Sequence, residues 1–149
     1  MTHSSAHSSA QPPAGRRSGP ARAIGLVAII IGALMVVGGA ATWVVVTDQL
    51  TDEKIVIPDD ARAFGGKTVN GPIDAYFMAD IINKHALDAS GGKTYAELDR
   101  EDPVRDTMMN ASFLRTSLFS SIISYGVALF AAGTGLLWIL IGWAVRRTA

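Results

Sequence analysis

Ala23–Thr47 reads AIGLVAIIIGALMVVGGAATWVVVT and Thr116–Val145 reads TSLFSSIISYGVALFAAGTGLLWILIGWAV; neither stretch holds an Asp, Glu, Lys or Arg. A helix needs about 20 apolar residues to cross a hydrocarbon core of roughly 30 Å. Both stretches are long enough. They predict a mainly α fold: two antiparallel transmembrane helices, 22–47 and 116–145, joined by a small helical segment, 48–115. A disordered tail, 1–21, and a short end, 146–149, flank them. The first stretch is too long for a cleaved signal, whose apolar region is about 7–15 residues. It also continues past Ala40-Ala41 into Trp43-Val44-Val45-Val46.

The net charge is zero, with 13 basic and 13 acidic residues, but the charges are partitioned. Arg16, Arg17 and Arg22 precede the first stretch, Arg146 and Arg147 follow the second, and no acid accompanies either group. All 13 acids lie in 48–115. Basic residues in short flanks stay cytoplasmic. Both termini are therefore expected in the cytoplasm and the central segment outside, at the plasma membrane. An even number of spans requires the termini to share a side. The tail, rich in Ser, Ala, His, Pro and Gly, has no periodicity and is expected to be disordered. His3 and His7 within it are not expected to bind metal.

Small residues let helices approach closely in lipid, where packing replaces the hydrophobic drive. Gly25, Gly32 and Gly39 recur every seven residues and share one helix face. In the second stretch Gly126 and Gly133 are one heptad apart, as are Gly135 and Gly142. We take Gly25, Gly32, Gly39, Gly126 and Gly133 as the helix-packing set, with one small-residue face for the other span and one for a partner. Trp43, Trp138 and Trp143 suit the aromatic belts of a bilayer.

Neither stretch carries a charged residue in its core. Proton relays and ion pathways usually need one, so a transporter or a homo-oligomeric pore is disfavoured. The central segment is at the low end of what a lone hydrophobic core stabilises. It should lean on the membrane or on a partner. Pro72 predicts a helix start, capped by Asn70 or Gly71, and Gly91-Gly92 a stop after about Ser90. On this helix Asp80, Lys84 and Asp88 form a stripe able to pair at i, i+4. Two apolar sets flank it: Ile73, Phe77 and Ile81, and Met78, Ile82, Ala86 and Ala89. A surface helix ordinarily buries one stripe, so this one exceeds the needs of a single neighbour. Either the small outer fold wraps it or it meets the membrane surface or another protein. We expect Ile73, Phe77 and Ile81 to form the outward, partner-contacting set. A further helix should start with Asp102 as cap and Pro103 at its first position. It would run unbroken into the second span for about 64 Å at 1.5 Å per residue.

Catalytic chemistry has few candidates. His85 is the one histidine outside the tail, and no Cys is present. There is no Gly-rich phosphate loop, no HExxH and no nucleophile elbow. No basic surface interleaved with aromatics points to nucleic acid. No catalytic, cofactor or metal residue is assigned. The acids Glu97, Asp99, Glu101, Asp102 and Asp106 lack EF-hand spacing and suit a helix start. The expected partners are membrane lipid and a membrane protein or a second copy of the chain.

Several stretches together resemble a family of small two-span actinobacterial membrane proteins: Ile57-Pro58-Asp59-Asp60-Ala61, Gly66–Pro72, Ala79–Asn83, Gly91–Pro103 and Asn110–Arg115. The likeness covers about Arg22 to Arg147. Members often bear the name aromatic ring-opening dioxygenase. That name implies non-haem iron held by two His and one carboxylate. His85 is the only residue of the chain outside the tail that matches the histidines of such a set, so no catalytic residue is carried over. The residues themselves favour an accessory subunit or assembly factor of a cell-envelope complex. The alternative is an enzyme or enzyme subunit as the family name implies.

Overall fold

The computed structural model describes residues 18–149; the expectations for His3, His7, Arg16 and Arg17 lie outside the described residues. Among the described residues, three α-helices and one short 3-10 turn make up the regular structure: α1 (Ser18–Asp52), α2 (Pro72–Ala89) and α3 (Arg105–Thr148), with the 3-10 turn at Tyr95–Glu97 between α2 and α3. Residues 18–21, expected in the disordered tail, are already helical. Pro20 falls in the first turn, where its missing N–H has no intrahelical partner to lose.

α1 and α3 form an antiparallel hairpin and are both long and apolar enough to cross a membrane. α1 has 35 residues and α3 has 44. At 1.5 Å per residue α3 is about 66 Å long, twice a hydrocarbon core. It is long enough to cross such a core and continue beyond it as an emergent helix. The hairpin leaves large apolar side chains uncovered, with Leu34 68% and Phe130 73% exposed. Uncovered apolar surface on this scale is untypical of a monomer in water and normal against lipid. Trp43 and Tyr125 meet edge to face with ring centroids 4.6 Å apart. Thr47 and Tyr125 share a hydrogen bond of 2.8 Å between their hydroxyls. This polar and aromatic pair marks the upper end of the charge-free hairpin.

α3 starts at Arg105 rather than Pro103. The side chain of Asp102 accepts a hydrogen bond of 2.9 Å from the Val104 N–H, but within a turn that precedes the helix. The emergent segment is built on two small cores. In one, Leu50, Ile57, Val69, Ala75 and Ala79 gather with Leu118 and Tyr125. In the other, Ala86, Leu98 and Met108 gather with Leu87, Val104 and Ala111 beside them. Ile57 and Val69 reach the first core because a loop doubles back, with an antiparallel bridge between Val56 and Thr68. The Ile57 N–H donates to the Lys67 carbonyl (3.0 Å) and the Val69 N–H to the Ile55 carbonyl (2.9 Å). The turn between them puts Phe64 and Gly66 at positive φ, 63° and 76°. That left-handed conformation is ordinary for Gly66 and costly for Phe64.

Candidate functional site

The hairpin seam is the tightest contact in the fold. A Cβ built on Gly25 would lie 2.7 Å from the Gly142 carbonyl oxygen, and one on Gly39 would lie 2.5 Å from the Ala128 carbonyl oxygen. Between them, a Cβ on Gly32 would collide with the Gly135 carbonyl, and one on Gly135 would lie 2.5 Å from the Gly32 carbonyl. Each step of seven residues up α1 is matched by seven down α3. This constant register defines the antiparallel pairing, and a seven-residue period suits a left-handed crossing.

Gly126 and Gly133 are not in this seam: a Cβ on either would meet nothing within 4 Å. Gly135 and Gly142 take the place assigned to them. At about 100° per residue the two pairs, offset by two positions, point to opposite sides of α3. The third small residue of the α3 face is Ala128, which a search for glycine alone passes over.

α2 lies across the emergent part of α3 in the opposite direction. Met78 and Ile82 share a cleft with Leu50, Ile55, Leu114 and Leu118, of about 350 Å3, with Glu53 and Ser117 at its edge. Ile82 and Leu114 also line a second cleft, of about 310 Å3, with His85, Ala86, Thr107, Asn110 and Ala111. Because they share two residues, the clefts form one groove with a largely apolar floor.

The expected outward set on α2 does not hold together. Ile73 is 62% exposed, but Ile81 is only 3% exposed. Phe77 is half-buried, with its ring 5.3 Å from that of Phe64. Positions four apart drift by about 40° round a helix, so Ile81 is rotated well away from Ile73. It faces a cleft lined also by Asp60 and Arg62 of the loop.

The charge stripe is also paired differently. Asp80 binds Arg62 (3.3 Å) and Lys84 binds Asp60 (3.3 Å), so both partners come from the loop rather than from the same helix. His85 Nε2 lies 2.8 Å from the same Asp60 oxygen. The hydrogen bond with His85 lowers the Asp60 pKa, desolvation opposes it, and Lys84 adds to the lowering. These contacts clamp the 58–62 turn onto α2. Below them, the buried Asp74 accepts from Lys67 Nζ at 2.9 Å, and the ammonium also stands 5.2 Å from the centre of the Phe64 ring. Asp74 is in the first turn of α2, where the helix dipole favours an acid.

Two acids of the stretch before α3, Glu97 and Asp102, are used in local turns. Glu97 accepts from the Thr94 N–H and hydroxyl, both at 2.8 Å, and these bonds lower its pKa. Arg105 stacks 4.1 Å over Tyr95 and donates to the Tyr95 and Leu98 carbonyls. Among the described residues, no three His, Cys, Asp or Glu side chains gather as a metal-binding group. Among the described residues, His85 has Asp60 alone as a carboxylate neighbour within bonding distance.

No family model, no curated protein and no solved structure matches the chain.

Proposed function

We propose that the chain is a non-enzymatic integral membrane interaction protein, an accessory subunit or assembly factor of a cell-envelope complex. Both termini lie in the cytoplasm, and residues 48–115 are presented on the outer face of the plasma membrane. The basic residues flanking both spans, with no acid beside them, support this orientation. The resemblance to two-span actinobacterial proteins supports the plasma membrane as the location.

One observation carries the interaction reading. Phe113 and Leu114 on the emergent part of α3 are 65% and 54% exposed. Leu114 lies eleven residues above Tyr125, or about 16 Å at 1.5 Å per residue. At that height a bilayer ending near the Trp43–Tyr125 pair does not cover them. Leu114 also borders the groove between α2 and α3, so the uncovered apolar surface is continuous. A membrane-protein partner seated in this groove would bury it.

Leu114→Glu tests the reading. The tagged full chain is purified in mild detergent and the co-eluting proteins are identified by mass spectrometry. One membrane protein should accompany the parent in fixed proportion and be lost from Leu114→Glu, while the melting temperature of the isolated chain is unchanged. A partner retained by Leu114→Glu, or no proportionate partner, contradicts the reading.

A further inference from the structure

The second uncovered apolar patch of the emergent segment is at a different height. Ile73 is 62% exposed, Tyr76 52% and Phe64 43%. The rings of Phe64 and Tyr76 both pack on Phe77, at centroid separations of 5.3 and 5.7 Å, so the patch is one surface. Its height follows from the pairing of α2 with α3. Ile82 lies level with Leu114, since the two share both clefts of the groove. α2 runs antiparallel to α3, and Ile73 lies nine residues before Ile82, or about 13 Å lower. Leu114 is itself about 16 Å above Tyr125. Ile73 therefore lies within about one helical turn of the Trp43–Tyr125 pair, where the lipid-exposed hairpin ends.

The face of α2 that carries the patch changes character along its length. At about 100° per residue, Ile73, Tyr76, Phe77, Asp80 and Lys84 share one side of the helix. The two turns nearest the hairpin are apolar and aromatic. The next two are charged, and their charges are held by Arg62 and Asp60. A helix lying wholly in water, or one covered by a protein along its length, has no need of this switch. A helix rising out of a bilayer surface does, and Tyr suits the boundary because its body is apolar and its hydroxyl polar.

We infer that Phe64, Ile73, Tyr76 and Phe77 form an interfacial anchor that dips into the headgroup–acyl boundary of the leaflet from which the emergent segment rises. Its occupant is the phospholipid surrounding the chain's own spans. The anchor sets the tilt of α2, and with it the orientation of the groove above it. The inference rests on the reading of the hairpin as membrane-spanning, but not on the identity of any partner.

The absence of cysteine from the chain allows spin labels at single introduced sites. Ile73→Cys, Tyr76→Cys, Lys84→Cys and Leu34→Cys replace exposed side chains. Each full-length variant is reconstituted in phosphatidylcholine nanodiscs, and collision with oxygen and with a water-soluble nickel chelate is measured. Circular dichroism and melting in the same discs identify any variant that fails to fold, and Tyr76 duplicates the reading at Ile73. The oxygen-to-nickel ratio at 73 and 76 should exceed that at 84 severalfold and fall below that at 34. Equal, low ratios at 73, 76 and 84, with a high ratio at 34, would overturn the anchor and leave the spans standing. A low ratio at 34 would overturn both. Labels at 73 and 76 shielded from both reagents would show a protein on the patch, and would overturn the anchor as well.

Discussion

Gly32 and Gly135 exclude side chains from each other: a Cβ on either meets the carbonyl oxygen of the other. A backbone oxygen cannot swing aside as a flexible side chain does. Contacts this close between helix backbones also allow weak Cα–H···O bonds. The hairpin is thus fixed at one register and one separation by the absence of atoms.

Gly32→Ala should therefore destabilise the hairpin by about 1–3 kcal/mol, the usual cost of overpacking. Gly126→Ala adds the same methyl group where nothing stands within 4 Å and should leave stability nearly unchanged. Thermal melting of both variants in one detergent checks the contrast. Equal losses would place the helix contact on the wrong face of α3.

Removing the ammonium above Asp74 leaves a carboxylate whose side chain is only 5% exposed. Lys67→Met should cost about 1–3 kcal/mol, since a buried acceptor then lacks its partner. Lys67→Met with Asp74→Asn should recover part of the loss. Lys84→Met breaks an ion pair that is half-exposed on both sides and should cost at most about 1 kcal/mol. Melting of the three variants decides the ranking.

Asp60 and Glu97 share the sign of their shifts. Asp60 is lowered first by its His85 hydrogen bond, Glu97 first by the Thr94 N–H. A carboxyl lowered on folding contributes stability that is present above its ordinary pKa and lost as pH falls through the lowered value. The emergent segment should accordingly loosen below about pH 4, the ordinary carboxylate range. Asp60→Asn should flatten the acid limb of a pH–melting curve without changing its neutral plateau by more than a surface pair does. An unchanged acid limb would show that the clamp on the 58–62 turn is absent in solution.

Much of this architecture is legible in the residues alone, and the parts that are not share a cause. Charge-free length marks both spans, and Pro72 with Gly91-Gly92 brackets α2, because each is a local property. Which heptad of α3 meets α1 is a property of the pair. Gly126 with Gly133 and Gly135 with Gly142 have identical spacing, and only the partner helix distinguishes them. The sequence groups Ile81 with Ile73 because a wheel orders positions around α2 without saying where its neighbours stand; the returning loop covers that side. The same loop takes Asp80 and Lys84 away from their helical neighbours. Arg62 and Asp60 are far from them in sequence, and no local pattern announces those pairs.

Thiol labelling of the Cys-free chain tests most directly the central claim, a hairpin that carries residues 48–115 across the membrane to an outer face. Cysteine is introduced singly as Ser5→Cys, Ser90→Cys and Thr148→Cys, and intact cells with permeabilised walls are treated with an impermeant thiol reagent. The label should enter only at position 90, with 5 and 148 reached after the membrane is dissolved. Labelling at 5 or 148 in intact cells, with none at 90, would contradict the claim.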